Sequence, residues 1–198
     1  MQSMNIVYVD DIIDSSLSRY LSEYCSDSKS PLIYAEVPFD YESGDTYESL
    51  LRNETIRTAN VLLIDSRLFQ EANAGSKFTG EEFRIILSKI LPYIEVIVIS
   101  QNALDVKWSV VEKCKGNRTY GELEKYYNEK LKPLINEKMS IVDETQKLIV
   151  RIETDKAIDA VLIEKIKRIA KGETEYDELS TSDIDRLVQA FQDIIAKG

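Results

Sequence analysis

The chain predicts an α/β fold, a doubly wound parallel sheet of five strands followed by an α-helical C-terminal unit. Three observations lead there. Short β-prone runs, Ile6 to Val9, Val61 to Ile64 and Val96 to Ile99, lack polar alternation, which marks strands buried on both faces. Between them lie stretches whose apolar residues recur at helical spacing. After about Thr119 no strand-like run competes with a helical one. Strands and helices that alternate in this way build βαβ units with helices on both faces of the sheet.

The elements follow in order. Ile6-Val7-Tyr8-Val9 is the first strand and ends in Asp10-Asp11. Ile13, Leu17, Tyr20, Leu21 and Tyr24 form one helical face. Pro31 to Ala35 reads as the second strand, and Thr46 to Ala59 as one helix. Val61-Leu62-Leu63-Ile64 is the third strand and ends in Asp65. A long loop to Thr79 precedes a helix from Gly80 to Leu91, which Pro92 stops. Val96 to Ser100 is the fourth strand, and Val110 to Lys113 a short fifth. Tyr120 to Met139 reads as helical with a break near Pro133. Ile141 to Ile152 and Ala157 to Ala170 continue the helical pattern. Ser180 to Asp183 resembles a cap before an apolar face from Ile184 to Ile195. The division expected is an α/β domain over 1–136 and a helical extension over 137–198.

Composition narrows the function. The net charge of −10 argues against a protein that holds nucleic acid by neutralising phosphates. The chain has no histidine, which excludes a Ser-His-Asp triad, a Cys-His pair, His-ligated zinc and imidazole acid/base chemistry. Cys25 and Cys114 form no CxxC pattern and read as free thiols in a reducing compartment. Without a signal-peptide pattern or an apolar run of membrane-spanning length, the expectation is a soluble cytoplasmic protein with no membrane partner.

In a doubly wound sheet, ligands bind at the carboxyl ends of the strands, where strand order reverses. With strand order 2-1-3-4-5, the strands ending in Asp10-Asp11 and in Asp65 are neighbours, so three acids converge on one edge. Crowded carboxylates repel unless a cation lies among them. A hard divalent ion with oxygen ligands, Mg²⁺ above all, fits Asp10, Asp11 and Asp65. Ser100 and Lys113 end the fourth and fifth strands and would add a hydroxyl and an ammonium. That set suits phosphoryl transfer to the Asp65 carboxylate. It needs no general base, because a carboxylate is ionised at neutral pH.

The runs ending in Asp10-Asp11, in Asp65 and in Ser100, with a later Lys113, resemble the receiver domain of two-component response regulators. The resemblance covers about residues 4 to 135 and implies a flavodoxin-like sheet. It further implies Mg²⁺ on the acidic pair and Asp65 as the phosphoacceptor from a histidine kinase or other phosphodonor. Ser100 and Lys113 would sense the phosphoryl group, and a downstream protein would read the change. Three departures stand beside it. The segment after Asp65 is long, with Phe69 near the place of a usual proline. The stretch between Ser100 and the fifth strand is too short for a full helix. Lys115 and Lys107 compete with Lys113 for the lysine position.

Other readings of the same residues stay open. Asp10-Asp11 also suits a helix cap, and Asp65 a turn. A receiver fold that is never phosphorylated, or a metal-dependent phosphohydrolase, would use the same acids. Cys114, Trp108 and the tyrosines read as core or interface, and Glu173 to Glu178 as a solvated loop. The apolar stripes of the C-terminal unit suit a bundle core or a homodimer seam.

Overall fold

The structure, a computed structural model, describes residues 3–29, 31–69, 79–101, 110–116, 118–154 and 160–170. The chain divides into two compact units, Met1–Ser140 and Ile141–Gly198. Trp108, Lys107, the acidic run at 173–178 and the stripe at 184–195 lie outside the described residues.

The first unit is built on five parallel strands in the order β2-β1-β3-β4-β5: β1 (Met4–Asp10), β2 (Leu32–Pro38), β3 (Val61–Asp65), β4 (Glu95–Ser100) and β5 (Val110–Glu112). This is the doubly wound, flavodoxin-like sheet the sequence predicts, and helices continue the chain beyond it. All five residues of β3 are buried, as expected for a central strand covered on both faces. Val9 pairs with Ile64 across β1 and β3, and Asp65 pairs with Ile99 across β3 and β4.

Alternation along these strands feeds two apolar layers. Val7, Val9, Leu62, Ile64, Val96 and Val98 join one cluster. It is completed by α2 (Tyr47–Arg52), α3 (Glu54–Arg57) and α4 (Gly80–Ile90), through Leu50, Ile56, Phe83 and Leu87. Ile6, Tyr8, Val61, Leu63, Ile97 and Ile99 join the other. There the partners are α1 (Ser15–Ser26), α5 (Tyr120–Lys130) and the start of α6 (Lys132–Thr154), through Leu17, Leu21, Tyr127 and Ile135. Full burial of each such side chain contributes roughly 1.5–3 kcal/mol.

Local chemistry sets the helix limits. The Asp14 carboxylate accepts the Ser16 and Leu17 amides at 2.9 and 3.1 Å, so α1 starts two residues after the first apolar residue of its face. The single helix expected over Thr46 to Ala59 is two. Asn53 takes an extended conformation (φ −67°, ψ 121°), ends α2, and caps α3 by accepting the Ile56 amide at 3.2 Å. Asparagine competes for backbone hydrogen bonds in this way, and apolar spacing does not register it. The break near Pro133 falls at Leu131, and the proline sits in the first turn of α6, where no amide is required.

In the second unit the described residues are helical, the remainder of α6 and α7 (Ala160–Ala170). Ile152 and Leu162 are buried there, and Lys167 pairs with Glu153 at 2.8 Å. No helix among the described residues is long and apolar enough to cross a membrane.

Candidate functional site

Because Val9 and Ile64 are register partners, the next residues, Asp10 and Asp65, leave the sheet side by side. By alternation both belong with Tyr8 and Leu63, the layer under α1 and α5. β5 brings the cation. Its last residue, Glu112, is opposite Ser100, and the Lys113 amide donates to the Ser100 carbonyl at 2.6 Å. Lys113 thereby enters the same edge.

The four charged groups meet. The Lys113 ammonium lies 2.7 Å from Asp10 Oδ2 and 2.7 Å from Asp65 Oδ1. Asp10, Asp11 and Asp65 each offer a carboxylate oxygen, and these three atoms lie within 4.8 Å of one another. Asp10 and Asp65 are buried, and Asp11 is partly exposed. Asp11 Oδ1 accepts the Ile12 amide at 2.9 Å, and Asp65 Oδ2 accepts the Arg67 amide at 2.6 Å. Ser100 is buried at the end of β4 and meets Lys113 through its own carbonyl. By alternation it belongs with Val96 and Val98, on the opposite face from Asp65. Lys115 lies outside this group, pairing with Glu112 at 2.7 Å with more than half its side chain exposed.

The electrostatics follow from burial and from charge count. Three carboxylates and one ammonium leave an excess of negative charge in a space of low dielectric. Burial raises the Asp10 carboxyl above its ordinary value, and its hydrogen bonds from Lys113 and Tyr8 only partly offset that. Burial pulls the Lys113 ammonium down, but its bonds to Asp10 and Asp65 outweigh this, so it stays protonated. The Tyr8 phenol is raised, first by burial and then by the Asp10 charge, so it is neutral and a donor.

The residues fit a divalent cation. The donors are hard carboxylate oxygens, and a doubly charged ion would cancel the excess charge that Lys113 leaves. Among the described residues Asp10 Oδ1 is buried with no hydrogen-bond partner, although its sister oxygen is bonded by Lys113 and Tyr8. A buried, unpartnered carboxylate oxygen carries a desolvation penalty that a metal ion would remove.

The helix after this edge is held close. The α4 N-terminus is capped by Thr79, whose hydroxyl accepts the Glu82 amide at 3.3 Å. The Gly80 amide donates to the Ser66 carbonyl at 2.9 Å. A β-carbon on Gly80 would stand 2.4 Å from the Asp65 carbonyl oxygen, so only glycine permits this approach. The sequence marks Gly80 only as the turn into the helix and Tyr8 only as part of the first strand. For Tyr8 the available signal was its position two residues before Asp10, hence on the same face of the strand.

No family model matches the chain, and no curated protein matches it. Solved structures do. The Salmonella typhimurium response regulator RcsB is 15% identical over 89% of this chain and 95% of its own, with a TM-score of 0.42. An RcsB–DNA complex is 14% identical over 94% and 98%, with a TM-score of 0.38. The Francisella novicida lysine decarboxylase LdcF is 12% identical over 81% of this chain and 21% of its own, also with a TM-score of 0.38. The fold assignment rests on the strand order and register of this chain.

Proposed function

We propose that the first unit is a receiver-like signalling module, phosphorylated on Asp65 in a Mg²⁺-dependent reaction and acting through contacts with other proteins. One observation carries the reading. Asp65 shares a buried ammonium with Asp10 and stands within ligand distance of Asp10 and Asp11. The sequence resemblance to receiver domains, through the same residues, supports it.

The chemistry needs little machinery. An Asp65 carboxylate oxygen attacks the phosphorus of a phosphodonor, such as the phosphohistidine of a kinase. The bond to the leaving group breaks, that group departs with the electron pair, and an acyl phosphate remains on Asp65. Lys113, placed 2.7 Å from Asp65 Oδ1, balances charge on the transferred phosphoryl oxygens. Asp10, Asp11 and Asp65 would hold Mg²⁺, which when bound supplies Lewis-acid stabilisation of those oxygens. Ser100 would act through Lys113, whose amide donates to the Ser100 carbonyl at 2.6 Å. A downstream protein would then read a shifted conformational equilibrium. The helical second unit is the part proposed to present that surface, whether to another protein or to a second copy of the chain.

A second reading, a receiver fold that is never phosphorylated, draws on the same lysine, since the Lys113 ammonium pairs with both Asp10 and Asp65 and offsets part of their charge. One experiment separates the two. The chain is incubated with acetyl phosphate or phosphoramidate and MgCl₂ and weighed intact. A hydroxylamine-labile phosphoryl adduct is expected on the wild type and absent from Asp65→Asn and from EDTA-treated protein. Equal behaviour of wild type and Asp65→Asn would sink the phosphoswitch.

A further inference from the structure

Tyr8 is fully buried, yet it carries a hydroxyl into an apolar layer of the core. Its neighbours on the same face, Ile6 and Leu63, are purely apolar. The hydroxyl is used. It donates to Asp10 Oδ2, and the Asp14 amide approaches it at 3.5 Å. Asp14 is the residue that caps α1, so the phenol sits between the acid on β1 and the start of the helix.

Consider what this does to Asp10. Its Oδ2 takes two donors, the Tyr8 hydroxyl and the Lys113 ammonium. The opposite oxygen, Oδ1, is buried and takes no hydrogen bond from the described residues. A carboxylate rotates readily about its terminal torsion, so a single donor on Oδ2 would leave its plane poorly defined. Two donors from different elements fix it. Partners of this kind orient metal ligands and tune their affinity, and their removal costs metal binding even though they touch no metal.

We infer that Tyr8 is a positioning residue for the acidic centre: by holding Asp10 Oδ2 jointly with Lys113, it presents Asp10 Oδ1 as a single-oxygen ligand to a divalent cation. This rests on the proposed cation-dependent function and deepens it. The role belongs to the phenol oxygen and not to the ring, which any residue of similar shape could replace within the core.

Tyr8→Phe removes the oxygen and keeps the ring. The test titrates Mn²⁺, followed by the loss of its free electron paramagnetic resonance signal, into the full chain and into Tyr8→Phe, Asp10→Ala and the double variant. The expected result is that Tyr8→Phe weakens Mn²⁺ binding about tenfold. In the Asp10→Ala background the same change should have no further effect, because the tyrosine acts through that carboxylate. In the phosphorylation assay, Tyr8→Phe should raise the Mg²⁺ concentration needed for half-maximal rate while leaving the rate at saturating Mg²⁺ near that of wild type. A residue that only packs the core would show neither the coupling nor that split.

Unchanged Mn²⁺ affinity in Tyr8→Phe, with the wild type binding normally, overturns the role of Tyr8 and leaves the cation site standing. Failure of the wild type to bind Mn²⁺ overturns both. If Tyr8→Phe does not fold, wild-type protein decides. The Tyr8 hydroxyl proton, buried and donated to Asp10, should shift in its NMR spectrum when Mg²⁺ is added, and a resonance that does not move overturns the inference.

Discussion

Lys113 Nζ lies 2.7 Å from Asp65 Oδ1 and the same distance from Asp10 Oδ2, so one ammonium joins the acids of two neighbouring strands. Lys113 and Asp10 are separated by 103 residues in the chain. The pairing is nine-tenths or more buried on both sides, which makes its loss costly in a way that a surface ion pair is not.

Replacing the cation alone therefore leaves two buried carboxylates short of their partner. Lys113→Met should destabilise the metal-free protein by about 3–5 kcal/mol, read from urea unfolding. Added Mg²⁺ should restore part of the loss, since a divalent ion supplies the missing charge at the same acids. An unchanged unfolding midpoint without metal would contradict a buried, coupled pair.

Gly80 offers a different test, in which helix propensity and packing oppose each other. Alanine in a helix is worth up to about 1 kcal/mol over glycine. The β-carbon, however, would stand 2.4 Å from the Asp65 carbonyl oxygen, a backbone atom that cannot swing away. Overpacking of this kind costs about 1–3 kcal/mol, so Gly80→Ala should lower stability on balance. It should also impair labelling of Asp65, the proposed phosphoacceptor, because the backbone that must yield is that residue's own. A stabilised Gly80→Ala protein with normal labelling would mean α4 approaches β3 less closely than described.

Asn53→Ala tests the division between α2 and α3. The side chain accepts the Ile56 amide at 3.2 Å, and loss of such a cap costs about 1 kcal/mol. A shift of that size in thermal or urea unfolding is expected. A gain in stability would indicate that the two short helices can merge once the asparagine stops competing for the backbone.

Cys25 gives a pH dependence with a definite sign. Burial pushes its thiol up to about 11, from an ordinary value of 9.0. The protonated thiol is the form the core favours. Its contribution to stability is thus complete below about 9 and is lost as pH rises through about 11. Iodoacetamide labelling, followed by peptide mass spectrometry, should be slow at Cys25 in native protein near neutral pH. It should accelerate toward pH 11 and match a free thiol only after unfolding. Rapid native labelling of Cys25 at neutral pH would show that the thiol is not enclosed between α1 and the sheet.

Much of the acidic cluster is legible in the sequence. Asp10, Asp11 and Asp65 stand out because each follows a run with no polar alternation, and such a run is a buried strand whose end is where a ligand can be reached. Helix α1 was visible in its apolar spacing. Asn53 does not show as a break in the sequence pattern, because side-chain competition for the backbone leaves no trace in apolar periodicity. Tyr8 looked like part of an apolar run, and its hydroxyl gained a purpose only when Asp10 was found on the same face with one oxygen to hold.

Local pattern alone determined the strands, their acidic ends and most of the helices, because burial on two faces and helical periodicity are properties of neighbouring residues. Tertiary structure decided which lysine enters the acidic group, which oxygen of Asp10 is left open, and why position 80 must be glycine. Each of those depends on strand register and on segments far apart in the chain meeting at one edge. A side chain's neighbours there are set by parallel pairing and packing, and no spacing along the sequence encodes them.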